Sequence, residues 1–151
     1  MVTHKKLKPF LRDNLLAMVR GSIGSPAYRN MYFGIGGKKI DVLRDGDLSC
    51  AVFVTSILKL FSLADGIHTT VAGAQADLKK SGWHKAAKPK IGSIIVWGPR
   101  YFKKSGESHK HIGFYVGKGI AISNISKKKS PGATRSDYRS IEEILTHPKL
   151  K

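Results

Sequence analysis

Cysteine occurs once in the 151 residues, so an intramolecular disulfide framework is excluded and no bridge reports the compartment. A lone thiol is left with two roles, core filler or chemistry. Acidic residues are scarce, with 10 Asp plus Glu against 27 Lys plus Arg, and the formal net charge is +17. That imbalance points to an anionic partner or working surface: nucleic acid, an acidic membrane or an anionic cell wall. No stretch reaches the roughly 20 apolar residues of a membrane span. The opening residues MVTHKKLKPF are basic, but Arg12, Asp13 and Asn14 interrupt the apolar run after them, so no signal-peptide core is expected and the localisation stays open. The single cysteine and scattered histidines lack metal-ligand spacing, so neither a metal nor another cofactor is expected. Internal repeats are absent too.

What is present is the mixture of one folded unit, 41% hydrophobic and 25% charged. One domain over 1–151 and a monomer are expected. Residues 7–20 carry Leu7, Phe10, Leu11, Leu15, Met18 and Val19 near helical spacing, with Pro9 confining the helix to the residues after it. Residues 21–37 (GSIGSPAYRNMYFGIGG) combine glycines with aromatics and predict a structured loop. Residues 49–63 predict an apolar helix with Ser49 as N-cap and Cys50 in its first turn. A further helix starts after Thr69 or Thr70 and stops at Gly82. From Pro89 the period changes to two: 91–97 and 111–116 read as buried strands, 120–125 as the hairpin partner of the latter around Lys118-Gly119. Residues 98–110 read as a polar loop, the Lys127–Gly132 run as a solvated loop and 140–146 as a short closing helix. Helices first and an antiparallel sheet afterwards make the fold class α+β.

A thiol attacks as its thiolate, and a helix N-terminus beside a histidine lowers its pKa. Cys50 meets the first condition. Among the six histidines His111 is the best placed for the second, at the start of a buried strand and close to the small Gly113. His109 has the same strand parity and stands in reserve; His4 and His147 lie near the termini, His84 in a Lys-rich turn and His68 in a loop. A base held in one tautomer needs an acceptor at its other ring nitrogen. A two-residue loop at Lys118-Gly119 presents Asn124 for this; a three-residue loop presents Ser123 instead. The X-Gly turn favours the shorter loop, hence Asn124.

In order along the chain come a Gly/Tyr-rich segment, a helix opening Cys-x-x-Phe-Val (Cys50, Phe53, Val54), a strand with Pro89 and Gly92, and the strand HIGFYVG from His111. This succession, from about Gly24 to Ser126, resembles the NlpC-type papain-like peptidoglycan peptidases. The resemblance implies a papain-like core with N-terminal helices packed on an antiparallel sheet, and a Cys/His/polar triad. It implies cleavage of amide bonds in wall stem peptides through a thioester, with anionic wall polymers as a possible second partner. It also implies an oxyanion hole from the Cys50 amide and a tyrosine of the upstream loop, a slot that Tyr32 fits better than Tyr28. The family pattern usually has Asp before the cysteine and Ser-Gly after it, where this chain has Ser49, Ala51 and Val52. The family's third polar residue is commonly spaced to match Ser123.

Two readings compete with the hydrolase. Trp83, Trp97 and Tyr101 near lysines suit a nucleic-acid-binding module, but the basic residues are spread and no recognition motif accompanies them, so nucleic acid is the weaker partner. The same fold also suits an acyltransferase or a non-catalytic wall binder.

Overall fold

In the computed structural model, which describes residues 6–151, three helices precede a sheet built from the second half of the chain. The first, α1 (Leu11–Gly21), starts just after Pro9 and buries Leu15 and Val19, one turn apart. The Gly/Tyr-rich segment folds into a short 3-10 turn, Pro26–Tyr28, and a hairpin of β1 (Tyr32–Ile35) and β2 (Lys38–Asp41). Gly36 and Gly37 turn that hairpin at φ 57 and 76, where side chains are disfavoured. Helix α2 (Cys50–Leu60) is buried over most of its length, and α3 (Val71–Lys80) is capped by the Thr70 hydroxyl, which accepts from the Gly73 N–H.

The sheet contains β3 (His84–Lys85), β4 (Ile94–Phe102), β5 (Glu107–Gly117), β6 (Ile120–Ile125), β7 (Ser130–Arg135) and β8 (Ile141–Thr146). Their order is β3-β8-β4-β5-β6-β7, and every neighbouring pair is antiparallel. The α+β expectation therefore stands. Three local expectations do not. Residues 98–110 are not one polar loop, because β4 and β5 continue past a bulge after Trp97 into a long hairpin. Part of the lysine-run segment forms β7, with only Lys127–Lys129 left in the turn. Residues 140–146 form β8 rather than a helix: Ile141, Ile144 and Leu145 suit either period, and insertion beside β4 (Ile94↔Leu145, Ile95↔Ile144) decides for strand.

Alternation along the strands divides the core in two. Ile94 and Val96 of β4, with Ile112, Phe114 and Val116 of β5, join the helical residues Leu15, Phe53, Ile57 and Leu78 in one cluster. Ile95, Trp97 and Ala121, with Tyr115, form a second cluster on the other face. His111 pairs with Trp97 and Gly113 with Ile95, so both belong to this second face. A cysteine on a helix packed against the first face must therefore reach a histidine on the second.

Candidate active site

An opening in the sheet solves this problem. Strands β5 and β6 pair only from Phe114↔Ile122 toward their turn, whereas β6 runs on beside β7 through Ser123, Asn124 and Ile125. Beyond Phe114 the two strands part, with His111 and Ile112 on one side and Ser123 and Asn124 on the other. The segment Gly46–Cys50 enters here. Asn124 Nδ2 donates to Gly46 O at 2.8 Å and Ser126 Oγ to Asp47 O at 3.0 Å. Gly46 has φ +95, and a Cβ on it would come 2.8 Å from the Lys129 Cβ, so only glycine fits this close approach. The chain then turns into α2, which packs on both β5 and β6.

Cys50 is the first residue of α2. Its sulfur is faced by the backbone amides of Ile112, Ala51 and Cys50 itself. Ile112 is the residue after His111, so the helix start and the histidine strand meet at the thiol. Burial pushes the Cys50 thiol up to about 11, while the three amides and the charge of Arg139 pull the other way. Cys50 is half-buried, and desolvation there acts against the helix terminus that is expected to lower the thiol pKa. Ser49 occupies the N-cap without a side-chain cap bond, and its hydroxyl is buried with no partner.

His111 completes the crossing. Its Nε2 lies 2.9 Å from Ser123 Oγ across the opening. With the proton on Nε2 donated to that hydroxyl, Nδ1 is left as the acceptor nitrogen. Burial, reinforced by the positive charge of Arg139, holds His111 down at about 4, so the ring is a neutral base at neutral pH. Its ring lies 5.3 Å from that of Trp97 at an interplanar angle of 30°, and Trp97 is fixed by its Nε1–H donating to Ser136 O at 2.8 Å. Gly113, next on the same face, admits no side chain: a Cβ would fall 2.8 Å from Ser123 Cβ, 2.9 Å from Ile122 O and 3.1 Å from the Trp97 ring.

Asn124 does not partner His111, and Ser123 does. The two-residue loop forms as expected, with Gly117↔Ile120 paired around Lys118 (φ 52) and Gly119 (φ 72). Between Tyr115↔Ala121 and Gly117↔Ile120 the register shifts, so Val116 is an extra residue on β5. A one-residue slip exchanges the two faces of β6. Asn124 instead clamps the loop ahead of α2, and its Oδ1 is buried without a partner.

Tyr32 also differs from expectation. It sits on the β1–β2 hairpin, 56% exposed, with Lys39 Nζ 4.7 Å from its ring centroid. The tyrosine packed on α2 is Tyr28, whose ring meets Phe53 at 5.1 Å and whose hydroxyl lies 3.2 Å from Ser22 Oγ. The amides of the first turn of α2 are among the donors that face the thiol.

The other described histidines have separate settings. His109 Nε2 is 2.8 Å from Glu107 Oε2, and Arg44 also grips that carboxylate through two bonds. His68 Nε2 is 2.6 Å from Asp77 in a surface depression of about 520 Å³, where Asp77 also accepts from the amides of Asp65 and Gly66 and so ties down the α2–α3 connection. His147 lies 2.9 Å from Ser81 O, His84 is exposed on β3, and His4 lies outside the described residues. Among the described residues no three His, Cys, Asp or Glu side chains converge. Trp83 and Trp97 are both buried, with their indole N–H groups donating to Leu63 O and Ser136 O, so neither is presented for base stacking. No helix is long and apolar enough to cross a membrane among those described.

Sequence reasoning missed Trp97, Tyr138 and Arg139 as neighbours of the site. Tyr138 lies 5.4 Å from Trp97, ring to ring, in the β7–β8 connection. Nothing in the periodicity of TRSDYRS marks that connection as close to a cysteine nearly ninety residues earlier.

No protein-family profile matches the sequence, and no curated protein sequence does either. A solved structure does: the crystal structure of the NlpC/p60 domain of the peptidoglycan hydrolase SagA aligns with a TM-score of 0.55 and 15% identity, over 89% of this chain and 97% of that one. The fold of this chain is thus an α+β arrangement like that of an NlpC/p60 domain.

Proposed function

We propose that the protein is a cysteine hydrolase that cleaves amide bonds in the stem peptides of bacterial peptidoglycan. The observation that carries this reading is the junction of the Cys50 helix start with the His111–Ser123 pair across the opening of the sheet. The likeness to a peptidoglycan hydrolase domain supports the substrate class.

In this reading Cys50 and His111 rest uncharged, and the proton moves as the bond forms. Cys50 Sγ attacks the amide carbon while His111 Nδ1 takes the thiol proton. Oxygen charge develops against the first-turn amides of α2. His111 then returns the proton to the leaving amine, and the acyl group stays on sulfur as a thioester. Water, deprotonated by His111, releases the acid and restores the thiol. Ser123 orients the imidazole throughout and exchanges no proton with substrate. The basic surface draws the protein to anionic wall polymers.

Incubation with peptidoglycan of several chemotypes, followed by amine labelling and mass spectrometry, tests the proposal. New amino groups with wild-type protein and none with Cys50→Ala are expected. No release from any chemotype by protein with a titratable thiol would sink it.

A further inference from the structure

Arg139 is a cation with no anion paired to it among the described residues. It lies half-buried in the connection from β7 to β8. Its Nε and Nη2 donate to Gly98 O at 3.0 and 2.6 Å, and Nη2 also donates to His109 O. Those two carbonyls flank the site: Gly98 comes directly after Trp97, which pairs with His111, and His109 precedes His111 by two on the same strand. The guanidinium is therefore fixed to the rim of the site by backbone. Among the described residues no carboxylate lies within ion-pair distance of it, although Arg44, Arg135, Lys110 and Lys129 all have one. The acid nearest in sequence, Asp137, is held by both Nε and Nη2 of Arg135. Among the described residues the side chain that meets the guanidinium is the uncharged Tyr138 hydroxyl, which leaves its charge unmatched. Its charge bears on both Cys50 and His111.

Three bonds to carbonyls orient the guanidinium but leave its charge unmatched. A planar donor fork held in this way is suited to a carboxylate. We propose that Arg139 is a specificity-determining residue that binds a substrate carboxylate close to the scissile amide, so that the site selects stem peptides whose neighbouring carboxyl is free over those in which it is amidated. This rests on the wall-hydrolase reading for its substrate, but not for the anion site itself.

The single thiol makes the anion site measurable without any wall substrate. Alkylation of Cys50 by iodoacetate, an anion, is compared with alkylation by neutral iodoacetamide at constant pH, and the ratio of rates is taken for wild type, Arg139→Gln and Arg139→Lys. A unit positive charge held near the reacting sulfur predicts a ratio about fivefold lower in Arg139→Gln than in wild type, with Arg139→Lys between them. Added salt lowers the wild-type ratio as well, a readout that needs no variant to fold. A wild-type ratio indifferent to salt, or the same ratio in a folded Arg139→Gln, overturns the anion site. In the second arm, paired synthetic stem peptides with a free or an amidated carboxyl are hydrolysed. A higher KM for the amidated member, a difference that Arg139→Gln abolishes, is the expected result; equal KM values in the wild type overturn the assignment of the carboxylate to the substrate. If neither peptide nor intact wall is cleaved while the alkylation ratio behaves as described, the hydrolase reading has failed and the anion site has not.

Discussion

Lowering the pH weakens the fold through His111 by an amount set by its surroundings. Burial and the Arg139 charge bring the ring from 6.5 to about 4. At ~1.4 kcal/mol per pKa unit this corresponds to ~3 kcal/mol in favour of the neutral ring. Between these two values the unfolded chain carries a proton on this residue and the folded chain does not, so unfolding takes up a proton and stability rises with pH. The contribution is fully present above about pH 6.5 and is lost as the pH falls toward about 4. Carboxylates such as Asp41 and Asp77, both lowered in the fold, also lose stabilisation in acid. They are common to wild type and His111→Gln, so the difference between the two proteins isolates the ring. Urea unfolding of both, from about pH 7 to about pH 4, is expected to show wild type losing ~3 kcal/mol relative to the variant. A difference that stays flat over that range, or a His111 ring signal that titrates near its ordinary value in proton NMR, refutes the reasoning.

Ser123→Ala removes the acceptor of the imidazole and leaves a buried donor unpaired, which costs ~1–3 kcal/mol and should lower kcat about tenfold to a hundredfold with KM little changed. Asn124→Ala should instead leave the Nε2–H tautomer of His111 intact in nitrogen NMR while lowering thermal stability, because it releases the Gly46 loop. Gly113→Ala places a methyl within 2.8 Å of Ser123 Cβ and should destabilise the fold by ~1–3 kcal/mol while displacing Ser123 from His111; unchanged melting and unchanged turnover would contradict the packing described. Iodoacetamide alkylation of Cys50 should keep rising through about pH 9 toward its pKa of about 11, and a plateau already reached at neutral pH would show a thiolate–imidazolium resting pair instead.

Much of this was legible in the sequence because local rules and packing agree there. Ser49-Cys50 at the start of an apolar run marks a helix N-terminus, and the structure places Cys50 as the first helical residue. The alternation in HIGFYVG puts Ile112, Phe114 and Val116 in the main core and leaves His111 on the other face with Gly113. Where the reading failed, a longer-range effect decided. The Lys118-Gly119 turn was recognisable, but the extra residue at Val116 has no local signature and exchanges Asn124 for Ser123. Glu142 and Glu143 suit a helix, yet β8 forms because its backbone completes the sheet between β3 and β4. The thiol's pKa depends on how far the packing of α2 on β5 and β6 removes it from water, a tertiary effect. Arg139 reaches the rim through carbonyls of two distant strands, which no spacing rule encodes.

The hydrolase reading depends above all on Cys50 carrying the acyl group. Wild-type protein can be rapidly quenched during peptidoglycan digestion, proteolysed, and the peptide containing Cys50 weighed by mass spectrometry. A hydroxylamine-sensitive mass increment on Cys50 matching the stem-peptide acyl fragment, and lengthened in lifetime when His111 is replaced by Gln, is the expected result. Wall peptides cleaved at the wild-type rate by Cys50→Ala, with no acyl increment on the wild-type thiol, would contradict it.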